Sequence, residues 1–435
     1  MNIFVVTIMV VQVSLTMVGF LESGKSEEQL KLRISSISLL FILMCEIMTI
    51  RERRNLLQTK KRNSSLCQKN VIRKDETEAI IPKTFLKYKK YAWIEITKHD
   101  RPGDCWVVIH GKVYDLTNFV SKHPGGPMIY DGAGGDCTAM WQSYHSSKMI
   151  RKSPPTEYLI GEVRDYVDFY SWDGDFYLTL KEKVEALIPK NKRQFDYKLF
   201  IKAGIIFVGY VVSLYYFLQN YTFTWAVIYS IFAAQTGVNI MHDGNHMAFT
   251  SNKFISLLAG YTLDMAFSTS VVYRRSHNFG HHGCVNHFEL DRAFDTSYPL
   301  LRLHHLQPKL PFHKYQHVYA WLVYGLVNFG DLFGTFDELF WMSNYPTRRG
   351  FLTKTSFISQ IMVKIVWLLL MGIWPIYKWG FVEMFPIWVT YMMTFSYFYV
   401  FFFAVNHWTD EAQQVDNKDV NKTNWGILQV FIFLG

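Results

Sequence analysis

Two pairs of long apolar stretches constrain this chain more than any other feature of its sequence. Residues 199–218 and 224–240 are joined through Gln219-Asn220-Tyr221, and residues 357–381 and 385–405 by an equally short link. Each stretch approaches the ~20 residues that carry a helix across a bilayer, and such short links force neighbouring helices to run antiparallel. The chain therefore leaves the membrane twice on the side from which it entered. The segment from 241 to about 355 stays on that side, as do Asn406 and His407, so the histidines from His242 to His317 share one face. Residues 254–273 are also apolar but are broken by Asp264 and several Ser and Thr, which predicts an interfacial or half-inserted segment. Two further runs, 1–20 and 34–50, predict an N-terminal pair of spans, followed by a charged linker to about residue 83.

Composition agrees with a mixed soluble and membrane protein. Of the 435 residues 50% are hydrophobic and 17% aromatic, yet a mean hydropathy of +0.04 is too low for a chain made only of spans. The net charge of +9 comes from basic clusters beside apolar runs, such as Arg51-Glu-Arg-Arg54 and Lys60-Lys-Arg62. Such clusters face the cytosol and an anionic leaflet, and no nucleic-acid module is built from them. The five cysteines are scattered without a C-x-x-C pair, which points to a reducing compartment rather than a disulfide framework.

Between residues 85 and 163 the pattern is that of a soluble block. Trp106-Val-Val-Ile-His-Gly-Lys-Val-Tyr-Asp-Leu116 predicts two short strands around a His-Gly turn. His123-Pro124-Gly125-Gly126 then offers an imidazole followed by a fixed φ and two permissive residues. A bis-histidine haem needs two neutral imidazoles facing each other across the iron, each oriented through its second nitrogen. His145 is the only histidine between 124 and 241, and stands at a fitting remove from His123. With Asp104-Cys-Trp-Val-Val108, Gly111-Lys-Val-Tyr-Asp-Leu-Thr-Asn-Phe119, Ala133-Gly-Gly-Asp136 and Tyr158-Leu-Ile-Gly161, the block resembles cytochrome b5. The resemblance implies haem b, His123 and His145 as axial ligands, and one-electron transfer. His99 and His110 lie outside the motif and read as surface or strand-turn residues.

The second signal is His242-Asp-Gly-Asn-His246, followed by His277-Asn-Phe-Gly-His281-His282. A spacing of four places His242 over His246, and His277 over His281, on single helix faces. Imidazole suits iron, ionisable groups at a membrane boundary are candidates for function, and Asp243 and Asp291 are acceptors for the ligands' outer nitrogens. With His281-His-Gly-Cys-Val-Asn286, Lys314-Tyr-Gln-His-Val-Tyr319 and Leu322-Val-Tyr-Gly325 around them, the boxes resemble those of membrane fatty-acid desaturases, in the group carrying a fused b5 domain. The resemblance implies four membrane helices under a cytosolic cap, two non-haem irons, and O₂-dependent desaturation of a fatty-acyl substrate carried on CoA or phospholipid. It also implies cytochrome b5 reductase as electron donor and the endoplasmic reticulum as location.

Non-haem iron ligands expected on this basis are His242, His246, His277, His281, His282 and, at the end of the last span, His407. His304-His305 reads as a solvated loop, and His287, His313 and His317 as surface residues or neighbours of the ligands. The family's third box, (H/Q)xxHH, has no counterpart up to Gly435. At least two ligands of the pattern are then missing, which sets a truncated chain against one that has lost the catalysis and remains a membrane-anchored haem electron carrier. A fatty-acyl hydroxylase is the nearest enzyme alternative. The expected architecture is an α+β haem domain (85–163), a linker (164–198) and an all-α membrane domain (199–435), after an N-terminal segment (1–84).

Overall fold

The computed structural model of the chain describes residues 88–188, 197–332 apart from isolated positions between 267 and 296, 354–407 and 423–434. The expected apolar runs 1–20 and 34–50 and the basic linker lie outside the described residues.

Five strands form one sheet: β1 (Lys89–Tyr91), β2 (Asp100–Arg101), β3 (Asp104–Ile109), β4 (Lys112–Asp115) and β5 (Leu159–Val163), ordered β1-β5-β4-β3-β2. β1 runs parallel to β5 and the other pairs are antiparallel. The β3–β4 hairpin turns at His110-Gly111 with φ of 49° and 72°, the left-handed pair that matches the twist of a tight hairpin. Alternation along β3 builds two cores. Cys105, Val107 and Ile109 join Val120 and Trp141 on one side, and Val108 joins Tyr91, Ile96 and Val163 on the other. Between β4 and β5 lie the short helices α1 (Thr138–Tyr144) and α2 (Ser147–Lys152).

Helix α3 (Phe176–Leu187) follows, and Lys181 on it donates to the carbonyls of Gln142 and Ser143 at the end of α1 (2.7 and 2.8 Å). A cation belongs at that negative helix end. The membrane domain begins with α4 (Tyr197–Asn220) and α5 (Phe223–Gln235), which widens into a π-turn at Thr236–Met241 before α6 (His242–Asn245). Helix α7 (Ser270–Arg274) likewise passes into a π-turn, Arg275–Phe279. Then come α8 (Lys354–Leu368), α9 (Phe381–His407) and α10 (Trp425–Leu434).

Among the described residues three helices are long and apolar enough to cross a membrane: Tyr197–Asn220, Lys354–Trp379 and Phe381–Phe402. The outward residues Ile201, Ile205 and Val208 of α4 are 58–64% exposed, an apolar surface of the kind a bilayer covers. The fourth expected span, 224–240, is the α5 segment with its π-turn, packed between α4 and α9. Its buried face sets the small residues Ala226, Ser230, Ala233 and Ala234 around Tyr229, which lets the neighbouring helices approach closely. Tyr229 of α5 stacks on Tyr391 of α9 at 5.3 Å, and Ser230 donates to the Tyr391 carbonyl at 2.9 Å. The segment 254–273 folds into a helix, Lys253–Gly260, and a 3-10 stretch, Tyr261–Ala266. Asp264, which breaks its apolar run, is fully buried and pairs with Lys364 of α8 at 3.3 Å. Asp264 also accepts from the Ser270 backbone at 3.3 Å, which ties the start of α7 to a membrane helix.

Candidate haem and metal centres

The haem-domain histidines come together from opposite ends of the loop between β4 and α2. His123 follows a turn whose N–H groups return to Phe119 and Val120. Its ring lies so near Gly125 that a Cβ there would stand 2.9 Å from Cε1, and Gly126 takes φ of 55°. Both glycines of the motif thus have a steric reason. His145 caps α1, and its Nδ1–H donates to the Trp141 carbonyl at 3.2 Å, which leaves the lone pair on Nε2. The two ring centres are 5.9 Å apart, and an iron about 2 Å from a nitrogen of each ring spaces such centres by roughly 6 Å. His123 differs in one detail: its Nδ1 accepts from the Gly125 N–H at 3.1 Å, so ligation through Nε2 requires the proton to change nitrogen.

Burial, and secondarily Lys253, lowers the His123 pKa. His145 is lowered to about 4, chiefly by burial against the raising effect of the Trp141 carbonyl. Both imidazoles are therefore neutral near pH 7, as haem ligation requires. Without haem, His145 gives stability a defined pH dependence. The unfolded chain takes up its proton near 6.5 and the folded chain only near 4, so stability falls as pH drops through that window and levels off below it. Thermal melts of haem-free protein from pH 7 to 4 should show this slope, and His145→Gln should flatten it.

The non-haem cluster is built by the two π-turns. A π-turn bonds residue i to i+5, and the His282 N–H duly donates to the His277 carbonyl at 3.0 Å. His277 and His282 are thereby brought side by side, with their Nε2 atoms 3.0 Å apart. The first box closes from α6, and the coordinating nitrogens of His242, His246, His277 and His282 all lie within 4.8 Å of one another. His281 stacks on His277 at 5.4 Å, on the face that a spacing of four predicts, but does not belong to this group of four donors. Its Nδ1–H donates to the buried Asp291 carboxylate at 2.9 and 3.0 Å. Asp243 approaches His242 Nδ1 at 3.2 Å, so both carboxylates stand where acceptors for outer nitrogens were expected. His407 ends α9, and its side chain lies outside the described residues.

The donors fit a cation. His246 Nε2 is buried with no hydrogen-bond partner among the described residues, a costly state that a metal would relieve. Burial, then the neighbouring His242, pushes His246 down to about 4. His277 lies well below its ordinary value through burial and the four imidazoles around it, His282 foremost. Four lone pairs converging in a site that resists protonation suit a divalent transition metal, and imidazole is a regular iron ligand.

Several other histidines depart from expectation. His304 is buried, not solvated, and stacks on Phe288 at 4.7 Å, because its loop folds inward beneath Phe294. His287 and His313, expected at the surface or as neighbours of the ligands, are buried. His287 packs between Phe169 and Tyr170. His313 locks its loop, taking the Leu310 N–H on Nδ1 and donating to the Pro299 carbonyl.

Sequence reasoning missed Tyr144, Arg274, Arg275 and Phe279, which join the two centres. The Tyr144 hydroxyl stands 3.5 Å from His246 Nδ1, so the residue beside His145 meets a member of the four-imidazole group. The only signal was the adjacency of Arg274-Arg275 to the second box.

Comparisons with known proteins agree with this arrangement. Residues 92–164 match the cytochrome b5-like heme/steroid binding domain and residues 219–435 the fatty acid desaturase domain. The chain is 30% identical to the acyl-lipid (8-3)-desaturase of Physcomitrium patens over 79% of its own length and 76% of the relative's. It is 26% identical to the Delta(5) fatty acid desaturase A of Dictyostelium discoideum over 79% of this chain and 78% of that one. Among solved structures, the cytochrome b5 of Ostreococcus tauri virus 2 is 39% identical, covering 17% of this chain and 95% of its own, at a TM-score of 0.16. A haem domain closed by two facing imidazoles, joined to a membrane domain that gathers four more, places this chain in the family of fatty acid desaturases with a fused cytochrome b5 domain.

Proposed function

We propose that the protein inserts a double bond into the acyl chain of a membrane lipid, with electrons entering through its own haem domain. The observation that carries this reading is the contact of the haem-ligand helix with the four-imidazole cluster, Tyr144 against His246. The overall reaction converts –CH₂–CH₂– to –CH=CH– with one O₂, two electrons and two protons, and releases two waters. When bound, haem passes single electrons and the non-haem iron centre uses them to activate O₂ against an unactivated C–H bond.

The residues of the chain have separable tasks. His123 and His145 hold the haem. His242, His246, His277 and His282 would hold non-haem iron, with His281, oriented through Asp291, and His407 as the further ligands of the expected set. Burial of His246 and His277 keeps water and protons from their lone pairs. A tethered haem domain raises the local concentration of the electron carrier beside the iron, whereas a separate carrier would have to diffuse to it. The acyl chain would reach the site from the bilayer along the apolar helices. The electron donor to the haem would be cytochrome b5 reductase, with both centres on the cytosolic face of the endoplasmic reticulum.

The test is product analysis. The full chain is expressed in cells that lack its product, unsaturated acids are supplied, and lipid classes are separated before mass spectrometry. An added double bond in phospholipid-linked chains is the expected result. A hydroxylated product would assign the hydroxylase reaction, and an unchanged lipid profile with an intact haem spectrum would leave an electron carrier.

A further inference from the structure

A haem domain linked to a membrane domain can deliver electrons in two ways. It can swing between a reductase and the iron site, or it can stay docked and receive electrons where it stands. We propose that this domain is clamped, with Asp131, Arg274 and Arg275 holding the haem-ligand helix against the first histidine box. The inference rests on the reading above, since it concerns the electron path to the same iron.

On the haem side, the contacts that matter here come from the stretch between His123 and His145. On the membrane side, the principal contacts come from the π-turn that carries the second box and the residues around it. Arg274 donates through Nε–H to Asp131 Oδ2 at 2.9 Å, with side chains only 11% and 3% exposed. Arg275 is buried and donates to the Tyr130 carbonyl at 3.2 Å and the Ala133 carbonyl at 3.4 Å. Phe279 packs into the haem-domain core. Gly135 is shaped to receive it, because a Cβ there would lie 2.8 Å from the Phe279 ring. Gly283 meets Ala139 in the same way, at 3.1 Å. The Tyr144 hydroxyl then reaches His246 Nδ1.

A swinging domain would present a hydrated, polar docking face with exposed charge pairs, which separate at little cost. This interface instead buries an ion pair, two guanidinium-to-carbonyl bonds and an aromatic ring. Breaking a buried pair leaves an uncompensated charge, so undocking is strongly opposed. Clamping also fixes which edge of the haem domain faces the iron, through residues adjacent in sequence to His145 on one side and His277 on the other.

The experiment uses the full chain, loaded with haem and iron, in lipid nanodiscs. Three variants attack the clamp from different sides: Asp131→Asn removes the charge, Arg274→Gln removes its partner, and Gly135→Leu inserts a wedge against Phe279. The visible haem spectrum serves as the folding control, because none of these residues holds the haem. Two quantities are read. One is amide exchange over residues 126–144 and 275–283. The other is the anaerobic reoxidation rate of reduced haem, in which each ferrous haem gives one electron to one ferric non-haem iron.

Slow exchange in the wild type, exchange accelerated tenfold or more in all three variants, and reoxidation slowed at least tenfold are the expected results. Two outcomes would overturn the clamp: fast exchange already in the wild type, or variants that exchange faster while reoxidising haem at the original rate. A wild type that shows slow exchange yet binds no non-haem iron would instead sink the proposed function and leave the docking intact.

Discussion

Alanine in place of His145 is expected to abolish the six-coordinate haem spectrum, and His123→Ala to do the same. The two rings face each other at 5.9 Å, and neither has a neighbouring histidine that could substitute. His110 is occupied elsewhere, within 3.1 Å of Gln142 Nε2 at the β3–β4 turn. The loss extends beyond colour. A ligand that binds only the folded state stabilises it by RT ln(1 + [L]/Kd), about 4 kcal/mol at a thousandfold excess over Kd, so the variants should also melt lower than the holo wild type. Electron delivery to the membrane domain should stop in both. Absorption and electron paramagnetic resonance of the purified full chain provide the check, and an unchanged spectrum in both variants would remove the ligand assignment.

The second large effect is expected at the π-turn. His277→Ala and His282→Ala should each empty the non-haem site and eliminate product, while the haem spectrum stays as in the wild type. Their Nε2 atoms stand 3.0 Å apart within the four-imidazole group, so on the proposed assignment loss of either removes a direct ligand. Asp291→Asn should be milder. Asp291 acts on His281 through a hydrogen bond at 2.9 Å, and losing such an outer partner costs about 10- to 100-fold in metal affinity or activity. Iron content measured beside haem content separates the cases. Equal, complete iron loss in Asp291→Asn and His277→Ala would show that the carboxylate is itself part of the metal site.

Much of this protein was legible in the chain because its signals are local. The His-Gly hairpin, the glycines after His123 and the four-residue spacing of His242 and His246 are each set by sterics within a few residues. The spans at Tyr197–Asn220 and Phe381–Phe402 were legible for the same reason, since a bilayer selects on length and apolarity alone. The buried roles of His287, His304 and His313 were not legible, since a histidine in a loop carries no mark of what will later cover it. Asp264 looked like a defect in an apolar run until the fold brought Lys364 to it from about a hundred residues away.

The sequence by itself determined which histidines exist in boxes and that a haem domain precedes them. Only the tertiary structure decided which of them meet. A regular helix would bring only His281 over His277, whereas the π-turn also sets His282 against His277, Nε2 to Nε2, while His281 stacks on His277 at 5.4 Å and bonds Asp291. The haem domain's position was likewise undetermined until Arg274 and Arg275 found Asp131 and the Tyr130 and Ala133 carbonyls. Both outcomes depend on packing between segments far apart in the chain, whereas periodicity reports only on residues within a turn or two of each other.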